Sequence, residues 1–483
     1  MDVEFLMPEA CFFESVNKKK IIWLSGFTLA LILLSNSFPM SAVGAARPLN
    51  TPVFGSAINL SNDAGIAKDA AISNNGQNVY VAWTEGSRGI LFRMSPDGGT
   101  TWVPPTSKPA LKLSANGGTS QFPVMFTQFQ NVSKGDVYVT WAQTVTQLNG
   151  SKILQIFVAA STNNGTSFTR TQLNHNSTQN QITPAIAASG SDVYVAWFSG
   201  KTSTLNGSDY VSSSKNNGKS WSTPVDLVSS ERGGEAQIVA SGSNAYFVGD
   251  GIFFSATYNN GDSWTASYQL YMAPPRTSTS YYYGREPWIA ANGSKVYVTW
   301  EANSTTPGIS YHDQSVSSID GGLTWGPTQN VTDPLKDNWE PENAAYGGNV
   351  FMTFHSLLNQ GIYVTSSIGV TSNSPTWSTP KLVSPTGLKS SFGHVFTSDG
   401  VNVFVMWGQQ VTKGSSVWNA YISYSPDSGT TWSSTPIDIS NNAVGVAAGN
   451  NDVTLFGLSS NGAHCFAAWT YTNGASQIYF ASS

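Results

Sequence analysis

The 483-residue chain carries 23 Lys plus Arg against 28 Asp plus Glu, a formal net charge of −5, and only 11% of its residues are charged. That balance excludes a nucleic-acid binder working through bulk charge, because such affinity comes from clustered Lys and Arg that release counterions. Aromatic residues at 12%, with 16 Trp, exclude a disordered chain, and 45 Gly and 23 Pro predict many short strands joined by turns.

Residues 1–46 read as a signal peptide: a basic Lys18-Lys19-Lys20, an apolar stretch from Ile21 to Leu34, and small residues from Ala42 to Ala46. The apolar stretch is shorter than the ~20 residues that span a bilayer, so cleavage is expected, with a retained anchor as the alternative. Residues 47–483 then form one mildly acidic, secreted or cell-surface domain with no membrane span after cleavage. Cys11 leaves with the leader. Cys465 remains alone in an apolar run, which predicts a buried small hydrophobe and no intrachain disulfide.

The dominant signal is an alternating strand that returns eight times: Val79 to Trp83, Val137 to Trp141, Val193 to Trp197, a degraded Ala245 to Gly249, Val296 to Trp300, Val350 to Phe354, Val403 to Trp407 and Cys465 to Trp469. The steps between copies run from 51 to 62 residues, the length of a four-stranded unit. A strand such as Pro287-Trp288-Ile289-Ala290-Ala291 precedes each copy, and one such as Ile90-Leu91-Phe92-Arg93-Met94 follows.

Six repeats then carry Ser/Thr-x-Asp/Asn-x-Gly-x-Ser/Thr-aromatic, beginning at Ser95, Ser161, Ser214, Thr257, Ser318 and Ser425. The Asp or Asn side chain can accept N–H bonds inside its own turn, Gly permits positive φ, and the aromatic plugs the turn into the core. Asp97 and its equivalents are therefore expected to be structural. The pattern is similar to the Asp-box, or BNR repeat, of sialidases and related β-propellers. The seventh copy is eroded to Thr376-Trp377, and the eighth repeat ends one strand short, a strand that Ile58 to Ser61 can supply. The expected fold is all-β: a single β-propeller of four-stranded antiparallel blades, eight in number, closed by pairing of the N- and C-terminal strands. Seven blades, by merging around the fourth copy, or six, as in the family's sialidases, stay open.

Function in such a ring is expected on the loops that enter the first strand and leave the second. Those positions hold Asp69, Glu85 and Arg88 in the first repeat, Gln121 and Gln143 in the second, and Arg232, Glu235 and Asp250 in the fourth. The fifth adds Arg285, Glu286 and Glu301, and the sixth Glu340, Glu342 and His355. Two segments combine rings with charges, Tyr281 to Pro287 and Asp337 to Glu342, which includes Trp339; sugar sites use this mixture. The plainer alternative is that these charges hydrate a pore rim and pair with one another. A Ca ion on the acidic rim is a further alternative, and no other cofactor is expected.

The resemblance implies three Arg holding a substrate carboxylate, a Tyr nucleophile activated by a Glu, and an Asp as acid/base. On this chain those roles fall to Arg88, Arg232 and Arg285, to Tyr283 with Glu286, and to Asp69, with Glu235, Glu301, Trp339 and Glu340 as further substrate contacts. The family's Phe/Tyr-Arg-Ile-Pro motif is absent; Phe92-Arg93-Met94 runs straight into a box turn, which places Arg93 away from the pore. The expected function is action on an extracellular glycan, as an exo-α-sialidase-type hydrolase or, alternatively, as a non-catalytic propeller that binds a glycan or protein. Nine N-x-Ser/Thr sequons are close to the chance count in a chain so rich in Asn, Ser and Thr.

Overall fold

A computed structural model describes residues 51–62, 66–115, 119–131, 134–174, 179–201, 206–229, 236–271, 284–304, 310–333, 336–388, 393–415, 417–440, 454–462, 464–473 and 475–483. Residues 1–46, expected from the sequence to be a leader, lie outside them. Eight sheets of four antiparallel strands follow one another along the chain, and their innermost strands pack side by side in cyclic order, the last against the first. The protein is an eight-bladed β-propeller.

Blade 1 consists of Ala67–Asn75, Asn78–Glu85, Gly89–Ser95 and Leu111–Lys112, numbered outward from the axis. Blade 8 takes three strands from the C-terminus and its outermost, Ile58–Asn59, from the N-terminus, with Ile58 opposite Phe480 and Asn59 opposite Tyr479. Ser61 Oγ donates to Gln477 Oε1 at 2.8 Å and the Leu60 N–H to the Ile478 carbonyl at 2.8 Å, so the two chain ends hold one sheet together. The N-terminal strand thus covers the edge that Ala475–Ser482 would otherwise expose.

The repeated second strand is buried on both faces because each blade is sandwiched between two others. Val79, Tyr80, Val81, Ala82 and Trp83 are all 0% exposed, and Trp141, Trp197, Trp300, Trp407 and Trp469 are buried alike. Each indole represents roughly 5 kcal/mol of apolar transfer free energy, an upper bound. Cys465 is buried as well.

The box turns form as their composition requires. Ser95 Oγ accepts the Gly99 N–H at 2.7 Å, and Asp97 Oδ1 accepts the Thr101 N–H at 2.7 Å and the Ser95 hydroxyl at 2.8 Å. The same bonds recur around Asn163, Asn216, Asn259, Asp320 and Asp427. At Gly165, φ is +74° and an added Cβ would stand 2.8 Å from Phe92 Cζ, so only glycine fits. The terminal aromatic then packs edge-on against an aromatic of the preceding blade: Phe168 on Phe92 at 5.0 Å, Trp325 on Phe254 at 5.0 Å, and Trp102 on Phe480 across the seam at 4.9 Å. Arg93 is buried beneath these turns, where it donates to the carbonyls of Leu60, Pro104, Pro105 and Lys108. It lies outside the candidate site, as its position next to a box turn implies.

Candidate functional site

The innermost strands of blades 1 (Ala67–Asn75), 2 (Ser120–Asn131), 3 (Gln181–Ser189), 5 (Arg285–Asn292) and 6 (Asn338–Tyr346) share a β-bulge in which two residues oppose the aromatic that ends the repeated motif. The shifts fall between Lys68 and Ala71, Gln121 and Val124, Ile182 and Ala185, Arg285 and Trp288, and Trp339 and Glu342. In four of the five the second bulged residue is proline, Pro123, Pro184, Pro287 or Pro341, which lacks the N–H that a regular ladder would need. Asp69, Thr183, Glu286 and Glu340, the first bulged residues of blades 1, 3, 5 and 6, adopt left-handed φ of 57°, 48°, 53° and 57°. Non-glycine residues so placed are strained and persist only where their surroundings hold them.

In blades 5 and 6 those surroundings are carboxylates of the preceding blade. Asp250 of blade 4 (Gln237–Ser241, Asn244–Gly249, Phe253–Thr257, Tyr268–Gln269) accepts the Glu286 N–H of blade 5 (Arg285–Asn292, Lys295–Asn303, Tyr311–Ser318, Gln329–Asn330). Glu301 Oε1 of blade 5 accepts the Glu340 N–H of blade 6 (Asn338–Tyr346, Asn349–Ser356, Gly361–Ser367, Lys381–Leu382) at 2.7 Å. Glu340 Oε2 accepts the Gly393 N–H at the entrance to blade 7 at 2.7 Å, with His394 Nδ1 4.0 Å away. A chain of acids therefore clasps four successive blades.

Arg285 stands in front of this chain. Its Nε donates to Glu301 Oε2 at 2.8 Å and lies 3.9 Å from Glu286 Oε1. The guanidinium stacks 3.9 Å from the Tyr311 ring centre and 5.3 Å from that of Trp339, and the two rings meet edge to face at 5.2 Å. Asp337 Oδ1 fixes both rings, accepting the Tyr311 N–H at 2.9 Å and Trp339 Nε1–H at 3.0 Å. The Arg285 side chain keeps 36% of its surface, whereas that of Glu301 keeps none and that of Glu286 8%. Arg285 therefore reaches the surface beside the half-buried Tyr311 and Trp339, while Glu301 and Glu286 lie behind.

Burial sets the protonation of the acids. It pushes Glu340 up to about 8 and Asp250 up to about 7, against the opposing backbone N–H bonds that each accepts. It also raises Asp209, Asp313 and Glu342 well above the carboxylate range, and lowers His355 to about 4 and His394 to about 3. Burial pulls the Arg285 guanidinium down, but Glu301 and Glu286 outweigh it and the net shift is upward. Asp209 of blade 3 fills the space of a missing indole: blade 4 has Gly249 where other blades have an aromatic, and a Cβ there would stand 2.5 Å from Asp209 Oδ2.

Of the residues given a role from the sequence, the ring brings together five, Arg285, Glu286, Glu301, Trp339 and Glu340, and Asp250, expected on the rim, joins them. Asp69 and Arg88 belong to blade 1, which in a ring of eight stands opposite blade 5, and are not part of this group. Asp69 is fully buried, with Lys68 Nζ at 3.9 Å. Arg232, Glu235 and Tyr283 lie outside the described residues. Tyr311, Asp313, Asp209 and His394 are additions from the structure. A signal for two of them was present: Asp209 and Asp313 occupy a register position that holds Ile90, Ile156, Ile362 and Ile478 in other blades. Among the described residues, no three His, Cys, Asp or Glu side chains are grouped to hold a metal ion.

No known family model matches the chain, and no curated protein matches it in sequence. Among solved structures it is similar to YCF48 from Cyanidioschyzon merolae (13% identity, 88% of this chain and 98% of that one, TM-score 0.42) and to the BP39L lectin of Burkholderia pseudomallei (13%, 77% and 99%, 0.48). It is also similar to the NanB sialidase of Streptococcus pneumoniae in its K499G form (12%, 76% and 68%, 0.37). These likenesses concern the fold alone.

Proposed function

We propose that this chain is an extracytoplasmic, non-catalytic glycan-binding propeller of the Asp-box type, with Arg285, Tyr311 and Trp339 as its ligand platform. The six box turns support the family reading, and the leader-like residues 1–46 support export. One observation carries the function: a guanidinium locked at 2.8 Å by Glu301 and stacked 3.9 Å from a ring centre is presented, part-exposed, beside an indole. Sugars offer hydroxyls to such a donor and C–H faces to such rings. Glu301 and Glu340 are engaged in holding blades together, and Asp69 and Arg88, which the hydrolase reading needs beside Arg285, stand on the opposite blade.

The hydrolase reading retains one supporting observation. Glu340 and Asp250, pushed up to about 8 and about 7, hold protons near neutral pH as a general acid would. A glycan array run beside a panel of fluorogenic glycosides, sialosides included, separates the two. Binding without turnover, reduced at least tenfold by Trp339→Ala, is the expected result. Turnover that vanishes in Glu286→Gln or Glu340→Gln would replace the binding function with catalysis.

A further inference from the structure

The charges around Arg285 bear on what kind of glycan the platform accepts. A receptor for a sialic or uronic acid needs uncompensated positive charge, because the ligand carboxylate must exchange its water for protein donors. Arg285 is already compensated twice, by Glu301 at 2.8 Å and Glu286 at 3.9 Å. Asp250, beside it, and Glu340, whose own N–H is bonded to Glu301, are two further carboxyl groups that take up negative charge whenever they lose a proton. Lys336 is paired with Asp333 at 3.4 Å, and blade 1, with Lys68 and Arg88, is across the ring.

We infer that the platform takes a saccharide without a carboxylate, recognised by hydrogen bonds from Arg285 to its hydroxyls and by contact of its C–H face with Trp339. This selectivity rests on the glycan-binding reading above and narrows it. The discrimination is electrostatic and mainly repulsive. A ligand anion placed on the guanidinium would sit within a few ångströms of Glu286 and Glu301, in a setting where like charges are weakly screened. A neutral sugar loses nothing there, and the fixed, ion-paired guanidinium donates to it without having to be ordered first.

The test uses the full chain and matched glycan pairs that differ only in a sialic or uronic acid, on an array and then by calorimetry, at low and at physiological salt. The expected result is at least about tenfold tighter binding of the neutral member, with the gap narrowing as salt screens the repulsion. Glu286→Gln removes one compensating charge and leaves the Glu301 clasp intact; it should narrow the ratio of neutral to carboxylated affinity severalfold, with an unchanged melting curve as the control for folding. Equal or tighter binding of the carboxylated members overturns the inference and leaves the glycan-binding function standing. Binding of neither member on any pair overturns the glycan-binding function itself, and the inference with it.

Discussion

Acidic side chains occur at two levels of this propeller, and they behave in opposite ways. In the box turns the Thr324 hydroxyl and N–H hold the Asp320 carboxyl down at about 2, and the turn is exposed. On the rim of blades 4 to 7, burial drives Glu340 up to about 8 and Asp250 up to about 7. A turn acid satisfies donors within four residues of itself. A rim acid satisfies a donor on another blade, and is buried because the blades close over it. The first is a local device repeated around the ring; the second exists only once the ring is assembled.

The largest effect that separates these two levels should come from Glu301→Ala. It strands the Arg285 guanidinium and the Glu340 N–H together, and costs about 2–4 kcal/mol, a figure reduced from that of a fully buried pair because Arg285 keeps 36% of its surface. Urea denaturation checks it, and a loss under 1 kcal/mol would mean the clasp between blades 5 and 6 contributes little. Next in size is Gly165→Ala, in the outer turn, where left-handed φ and the contact with Phe92 together predict a loss of about 1–3 kcal/mol.

The pH dependence of stability should expose the rim directly. The folded state raises Asp250, Glu340, Asp209, Asp313 and Glu342, so it binds more protons than the unfolded chain; their contribution is fully present below about pH 4 and is lost as pH rises through the folded values, about 7 for Asp250 and about 8 for Glu340. His355 and His394, lowered to about 4 and about 3, act the other way, and their contribution is lost as pH falls below about 6.5. Between pH 6.5 and 8 the acids act alone. Melting temperature should therefore fall across that window, and a flat profile would show the rim carboxyls to be better solvated than their burial implies. The smallest effect belongs to the turns: Asp320→Asn should cost under about 1 kcal/mol in thermal melts, because Asn163, Asn216 and Asn259 already make the same bonds in sister turns.

Blade number, ring closure and the structural role of Asp97 were legible because each rests on short-range chemistry. Alternation of side chains buries both faces of Val79 to Trp83, and one Asp or Asn per turn meets N–H donors four residues on. The candidate site was legible in part. Arg285, Glu301, Trp339 and Glu340 sit at repeat positions that face the rim, so reading the repeats together found them. Tyr311 was missed because it begins a third strand, where the repeats differ in length, and only the pairing of Asn303 with Tyr311 brings it under Arg285.

The sequence by itself determined the module and pointed to eight copies, with seven and six left open, because strand periodicity and turn hydrogen bonds are settled within a few residues. The tertiary structure alone decided the partners between modules: that Glu301 reaches the Glu340 N–H, that Arg285 lies on Tyr311, and that Arg88 stands across the ring from both. Those pairings depend on the angle between neighbouring blades, which is set by packing of the buried aromatics around the axis and is written in no single repeat.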